Sequence, residues 1–317
     1  MMQTKAYCNC LAQERGLEPA GHAGGFDDAI IVEAPLPWKI DMMQKPGLLP
    51  QQVIDLFALW LQRYYAGEGY PHRPLVVAPD PDYSQEGFRR VMFYKRPAGQ
   101  FAEFDKVEYL IPEDQVGALI WALYEDRAAL PQFEAYQVMD QTRDILICTH
   151  GTVDAACAKF GYPLYKHMRD IYSNGQTRIW RVSHFGGHVF APTLMDMPTG
   201  HYWAYVGKEQ AEQIIQRTGD VTSLKGYYRG WAGLKNGFLQ TAEWQLWQAH
   251  GWDWFNYLKG GEIIAQDENT DDPTWADVRL TFGDSTAEMR VNMTHKVDTE
   301  TTTGNETTYA HPQYQPA

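Results

Sequence analysis

Residues 145–161 read ILICTHGTVDAACAKFG, and this stretch decides the fold prediction for the chain. The apolar run 145–148 is typical of a short buried strand, and a helix is predicted after the loop, continuing to about Tyr172. Cys148 ends the strand, and Cys157 follows nine positions later. The stretch therefore predicts a strand, a loop and a helix, with one thiol at the end of the strand and one after the loop.

The segments that follow continue the alternation of strands and helices. Residues 178–182 and 202–206 are rich in aromatic and β-branched side chains, which favour strands. Residues 208–217 have the apolar spacing of a helix. From residue 145 onward, the predicted order is strand, helix, strand, strand, helix.

An earlier part of the chain has a comparable order. Its predicted elements are a strand at 30–32, a helix at 50–67, strands at 75–78 and 91–94, and a helix that starts at Pro112. The sequence therefore predicts an α/β protein of two similar halves, each with a thioredoxin-like plan. Duplication stays a hypothesis, because the identity between the halves is too low to establish a repeat.

Three further segments follow the second half. Residues 230–257 contain five tryptophans and are predicted to be a helical segment that packs on that half. Residues 276–282 and 287–293 alternate apolar and polar side chains on either side of a Gly-Asp pair, which predicts a β-hairpin. Residues 298–317 are rich in Thr, Glu, Pro and Gln with few aliphatic side chains, and they are predicted to be a disordered tail.

Composition restricts the class of protein. The chain has 317 residues, 44% of them hydrophobic and 14% aromatic, which suffices for two domains with apolar cores. Its formal net charge of −13 repels phosphate, so nucleic acid and anionic membranes are excluded as partners. The N-terminus lacks a secretory signal, and no apolar stretch is long enough to span a bilayer. We therefore expect a cytoplasmic protein with no membrane association.

Four side chains form the candidate metal site. Cys148 and Cys157 are followed by His184 and His188, and thiolate and imidazole are ligands that suit iron or zinc. On spacing alone, two buried cysteines and two structural histidines are the more ordinary interpretation. Cys8-Asn9-Cys10 lacks the second pair that a zinc site or a cluster needs, so it is left outside the candidate site.

The sequence segments around these residues are more informative than the spacing of the residues. The segments ICTHG (147–151), CAKFG (157–161) and WRVSHFGGHVFAPT (180–193) closely resemble the sucrase/ferredoxin-like family, as do GHAG (21–24), IIVEAPLPW (30–38) and YRGW (228–231). The resemblance covers roughly residues 5 to 258. That family contains thioredoxin-like ferredoxins.

The resemblance implies a [2Fe-2S] cluster with Cys148, Cys157, His184 and His188 as its ligands. Two imidazoles in place of two thiolates raise the reduction potential, and a ring nitrogen that reaches solvent makes redox chemistry proton-coupled. The implied function is electron transfer to or from a redox partner protein, with no catalytic residues and no enzyme activity required. A structural mononuclear zinc site and a sucrose-hydrolysing enzyme, which the family name suggests, are the alternatives.

With this resemblance, the chain divides into four predicted parts. They are an N-terminal thioredoxin-like domain without a cluster (1–140), a thioredoxin-like ferredoxin domain with the Trp-rich extension (141–258), a β-hairpin extension (259–297) and a disordered tail (298–317). A small basic island at Lys159, Lys166, His167 and Arg169 is a candidate docking surface for an acidic redox partner, and a solvated helix face explains it equally well.

Overall fold

A computed structural model describes residues 6–139, 141–268 and 272–317. The α-helices of this part of the chain are α1 (Cys8–Glu14), α2 (Gln51–Tyr65), α3 (Val116–Tyr124), α4 (Ala155–Tyr172), α5 (Lys208–Gln216) and α6 (Gly237–His250). The strands are β1 (Asp28–Glu33), β2 (His72–Val77), β3 (Phe88–Lys95), β4 (Asp105–Pro112), β5 (Gln137–Val138), β6 (Arg143–Cys148), β7 (Thr177–Val182), β8 (Leu194–Met197), β9 (His201–Trp203), β10 (Tyr228–Trp231), β11 (Lys259–Gln266), β12 (Trp275–Phe282), β13 (Ser285–Glu300) and β14 (Thr308–Pro316).

The two halves repeat one arrangement of strands. In the first half, β1 is parallel to β2 and antiparallel to β3, and β4 lies beyond β3. In the second half, β6 is parallel to β7 and antiparallel to β8, and β9 lies beyond β8. One helix connects each parallel pair, and another follows the last strand. The predicted α/β class with two similar halves is therefore confirmed.

One ten-stranded sheet runs through both halves. Its order is β10-β9-β8-β6-β7-β2-β1-β3-β4-β5, and β2 meets β7 at Val77 and Val182. At this joint the Ser183 N–H donates to the Val76 carbonyl at 2.8 Å, and the Ala78 N–H donates to the Arg181 carbonyl at 3.0 Å. The joint therefore anchors the chain immediately before His184.

Alternate side chains of each strand enter different cores, as the pleat of a strand requires. Ile145 and Ile147 of β6 pack under the helices of the second half, whereas Leu146 and Cys148 enter an inner core shared by both halves. Helix α6 and strand β12 close that inner core. Trp231, Trp247 and Trp254 are fully buried, which confirms that the Trp-rich segment serves packing.

A buried ion-pair network crosses the inner core between the halves. Arg178 of β7 donates to Glu108 of β4 and to Asp144 of β6, at 2.7 and 2.8 Å. Lys106 adds a contact of 2.7 Å to Asp144, and Arg90 also donates to Glu108. Burial raises the pKa of Asp144, but Arg178 and Lys106 outweigh it and lower the pKa to about 2. Both carboxylates are thus charged and paired.

The predicted hairpin is confirmed, because β12 and β13 pair in register across the turn at 283–284. The prediction of a disordered tail is wrong. Strand β13 continues to Glu300, and β14 pairs with it along residues 291–300 in a four-stranded sheet that also contains β11. Backbone hydrogen bonds supply this pairing, and the Tyr314 ring packs on Phe238 of α6 at 4.8 Å, so the segment orders without aliphatic side chains.

Among the described residues, no helix has both the length and the apolar character needed to cross a bilayer. The predicted division into domains at residues 140, 258 and 297 stays a prediction, and the two halves share one sheet.

Candidate metal centre

Strand β6 and helix α4 bring the two predicted cysteines together. Cys148 is the last residue of β6, Cys157 lies in the first turn of α4, and both are buried. Asp154 caps the helix by accepting from the Ala156 N–H at 2.7 Å. Gly161 faces the Cys148 carbonyl so closely that a Cβ would overlap it. Only glycine allows α4 to approach the end of β6 to this distance.

His184 completes a group of three donors. Its Nδ1 lies 3.8 Å from the Cys148 Sγ and 3.7 Å from the Cys157 Sγ, and the three donor atoms lie within 4.8 Å of one another. The His184 backbone N–H donates to the Nδ1 of the buried His150 at 3.2 Å, which holds the start of the histidine loop. Two thiols and one imidazole arranged in this way could hold a metal ion.

The two thiols share one negative charge. Burial raises the pKa of Cys148, but hydrogen bonds from Cys157 and His184 lower it to about 5. The pKa of Cys157 is raised, first by its hydrogen bond to Cys148 and then by burial. The directions of the two shifts favour a thiolate at Cys148 with Cys157 as its hydrogen-bond donor, and the thiolate is the form of cysteine that binds metal.

His188 lies beside this group but faces other side chains. The His184 and His188 ring centroids are 5.7 Å apart. The His188 Nδ1 lies 3.2 Å from the Cys8 Sγ and 3.6 Å from the Asp154 Oδ2. The structure thus brings three of the four predicted ligands together and places the fourth in an adjacent group with Cys8 and Asp154.

In the second group, Cys8 and Asp154 are buried and His188 is partly exposed. Burial lowers the pKa of His188, although Asp154 opposes this, so the ring is neutral at pH 7. Burial likewise raises the pKa of Cys8 to about 12, which keeps its thiol protonated. Burial would also raise the pKa of Asp154, but hydrogen bonds from Thr303 and Ala156 outweigh it and lower that pKa.

The loop between the histidines depends on glycine and on one buried cation. Gly186 and Gly187 have φ values of 96° and 77°, the left-handed region that favours glycine. Arg229 lies against this loop and donates to the Gly186 carbonyl at 3.2 Å and to the Thr193 Oγ1 at 3.0 Å. Burial lowers the pKa of Arg229 to about 10, which leaves it charged close to the thiolate.

Several residues of the centre were not predicted from the sequence. Cys8 belongs to a Cys-x-Cys motif that lacks the second pair of a metal site, yet its neighbours in the structure, Asp154 and His188, lie 146 and 180 positions away. Thr303 belongs to the segment predicted to be disordered, and it donates to both Asp154 oxygens at 2.7 Å. Arg229 lies in the segment YRGW (228–231), whose sequence predicts no role for it. Local sequence patterns do not indicate contacts between residues that lie so far apart in the chain.

Comparison with known proteins identifies the family. No curated protein and no solved structure matches the chain. The family model described as sucrase/ferredoxin-like matches residues 19–230, which is more than half of the 317 residues. The match includes Cys148, Cys157, His184 and His188. The chain therefore belongs to the sucrase/ferredoxin-like family.

Proposed function

We propose that the protein transfers electrons through a [2Fe-2S] cluster with Cys148, Cys157, His184 and His188 as its ligands. The observation that carries the proposal is the convergence of two thiols and an imidazole at the end of β6, in a member of this family. When bound, a cluster of this kind accepts and returns one electron. The ring centroid of His188 lies 5.7 Å from that of His184.

The donor chemistry fits such a group. Cys148 and Cys157 supply thiolate sulfur, and the imidazole of His184 supplies nitrogen. The buried guanidinium of Arg229 offsets the negative charge that two thiolates bring into a low-dielectric site. Burial of both cysteines also excludes water from the sulfur atoms, and this protects them from oxidation.

Proton-coupled chemistry is part of the proposal. The His188 side chain is 16% exposed, and its Nδ1 lies beside Cys8 and Asp154. A proton on that nitrogen therefore has protein partners, and the side chain as a whole is partly exposed. Imidazole ligands retain a second ring nitrogen, so the charge of the site can change with pH in a way that thiolate ligands do not allow.

The proposed partner is a redox protein with an acidic face, in the cytoplasm. Lys159 and Lys166 are exposed on α4, the helix that carries Cys157. Arg169 contributes less to this surface than the sequence suggested, because it is paired with Asp80 and Asp82. Charge complementarity at such a surface raises the rate of encounter rather than the affinity.

The test is anaerobic purification followed by iron and acid-labile sulfide analysis and an electron paramagnetic resonance spectrum after reduction. We expect the wild type and Cys10→Ser each to contain as much acid-labile sulfide as iron. Cys157→Ser should lose both. Replacing His184 or His188 by cysteine should keep the cluster and lower its potential, since thiolate adds negative charge. An unchanged potential in either variant would remove that histidine from the ligand set.

A mononuclear zinc site is the second candidate, and one observation favours it. The separations of 3.7 and 3.8 Å between the His184 Nδ1 and the two sulfur atoms are close to the roughly 3.5 Å expected around one tetrahedral ion, given Zn–S near 2.3 Å and Zn–N near 2.0 Å. Such a site would be structural. A colourless protein that contains zinc and no acid-labile sulfide would establish this candidate and refute the cluster.

Hydrolysis of sucrose has weaker support. Glycosidases use two carboxylates that flank a bound sugar. Glu108 and Asp144 share the cation Arg178, but all three are buried and the carboxylates are used in ion pairs. Release of glucose from sucrose by a homogeneous preparation would reverse this ranking.

A further inference from the structure

We infer that Cys8 and Asp154 are positioning residues that hold His188 by its Nδ1 and leave its Nε2 as the nitrogen available to metal. The inference rests on the proposed role of His188 as a ligand. It concerns three side chains from distant parts of the chain: Cys8 lies in α1, Asp154 caps α4, and His188 begins the short turn His188–Phe190.

Asp154 is held as a fixed acceptor. Its Oδ1 accepts from the Ala156 N–H and the Thr303 hydroxyl, each at 2.7 Å, and its Oδ2 accepts from the Thr303 N–H at 2.7 Å. Three strong hydrogen bonds determine the orientation of this carboxylate and stabilise its charged form. An ionised carboxylate can only accept hydrogen bonds. Held in this way, the Asp154 carboxylate faces the His188 Nδ1 from a fixed position, with its Oδ2 3.6 Å away.

The direction of hydrogen bonding then determines the state of His188. The Cys8 Sγ lies 3.6 Å from the Asp154 Oδ1, so the thiol must donate to the carboxylate. Its sulfur lone pair is then the acceptor for the His188 Nδ1–H, 3.2 Å away. A neutral imidazole carries one proton. If that proton is on Nδ1, Nε2 is the unprotonated nitrogen.

Segments near both ends of the chain hold these three side chains in place. The Cys8 backbone N–H donates to the Thr303 Oγ1 at 3.3 Å, and the Arg15 guanidinium donates to the Asp298 carbonyl at 2.7 Å. Helix α1 contacts both β13 and the turn His188–Phe190. Side chains that orient a metal-binding histidine through its other nitrogen typically change metal affinity by 10–100-fold when removed.

The experiment uses Co²⁺ as the probe, titrated into the full-length protein after its native metal is removed. Cys8→Ala removes both the donor and the acceptor, whereas Cys8→Ser keeps a hydroxyl that can do both. We expect Cys8→Ala to lower Co²⁺ affinity by about 10–100-fold, Cys8→Ser to restore most of it, and Cys10→Ala, a change of the neighbouring cysteine outside the centre, to leave it unchanged. Asp154→Asn keeps a helix cap and should resemble Cys8→Ala.

A spectroscopic measurement tests directly which His188 nitrogen carries the proton. In the Zn²⁺-loaded wild type, histidine ¹⁵N chemical shifts should assign the proton of His188 to Nδ1 and the metal to Nε2. Metal on Nδ1 would overturn the inference. A second result would also overturn it. If Cys8→Ser lost as much Co²⁺ affinity and as much thiolate-to-cobalt charge-transfer intensity as Cys8→Ala, Cys8 would itself be a metal ligand. Both arms use simple metal ions, so they report on His188 even if iron and sulfide analysis refutes the cluster.

Discussion

The two glycines between the histidines offer a matched pair of substitutions. Gly186 and Gly187 are neighbours with φ values of 96° and 77°. A Cβ on Gly187 would lie 2.5 Å from the Arg229 Nη2 and 2.9 Å from the Phe190 Cδ2, whereas a Cβ on Gly186 would have no atom within 4 Å. Alanine at either position has the same energetic cost of adopting a positive φ. Only Gly187→Ala also displaces a buried arginine.

The magnitudes follow from these surroundings. A left-handed conformation costs a residue with a Cβ about 1–2 kcal/mol, so we expect Gly186→Ala to lower the free energy of unfolding by about that amount. Overpacking a closed site adds about 1–3 kcal/mol. The loss in Gly187→Ala should therefore be about 2–5 kcal/mol, because Arg229 is fully buried and donates to the Gly186 and His22 carbonyls and the Thr193 hydroxyl.

Urea unfolding at neutral pH measures both losses, and Co²⁺ titration measures the effect on the site. Since His188 follows Gly187 directly, we expect Gly187→Ala to bind Co²⁺ more weakly than Gly186→Ala. Equal losses of stability and of affinity in the two variants would refute the argument that Arg229 supports the histidine loop.

Further predictions concern the rest of the molecule. Arg178→Met leaves buried carboxylates without their main partner and should lower the free energy of unfolding by about 3–5 kcal/mol. Arg290→Met, at an exposed pair, should lower it far less, because solvent screens that pair. Urea unfolding compares the two variants, and similar losses would contradict the buried network. Because the folded pKa of Asp144 is about 2 against an ordinary 3.8, its contribution of about 2 kcal/mol is complete above pH 3.8 and disappears as the pH falls toward 2. The stability difference between wild type and Asp144→Asn should shrink over that interval, and a difference that grows would reverse the assigned sign. Thr303→Val removes the hydroxyl donor to Asp154 and should weaken Co²⁺ binding without unfolding the protein; circular dichroism and Co²⁺ titration check both parts, and unchanged affinity would separate the C-terminal sheet from the centre.

Much of the fold was predictable because it is encoded locally. The apolar run of β6, the helix after it and the matching elements of the first half are continuous patterns of side chains. Strands β4 and β8 were missed for two different reasons. Strand β4 ends at Pro112, the residue from which the sequence predicts a helix, and β8 has only four residues, one of them the buried Asp196. Such a strand has no detectable alternation, so its place depends on pairing with β6.

The C-terminal segment illustrates the limit of composition. Residues 298–317 lack the aliphatic side chains that repay ordering in a core. Their order comes from pairing with the long strand β13 and from contacts such as that of Tyr314 with Phe238. Composition measures the apolar area that a segment brings with it, but not the surface that another part of the chain offers.

The sequence by itself determined the family, the α/β class and the chemistry of the predicted donors, since Cys148, Cys157, His184 and His188 stand in short segments of characteristic wording. Only the tertiary structure decided that three of them converge while His188 faces Cys8 and Asp154. The physical reason is that a strand or helix follows from neighbouring residues. Contacts across 146 or 180 positions instead follow from how whole elements bury their surfaces against one another.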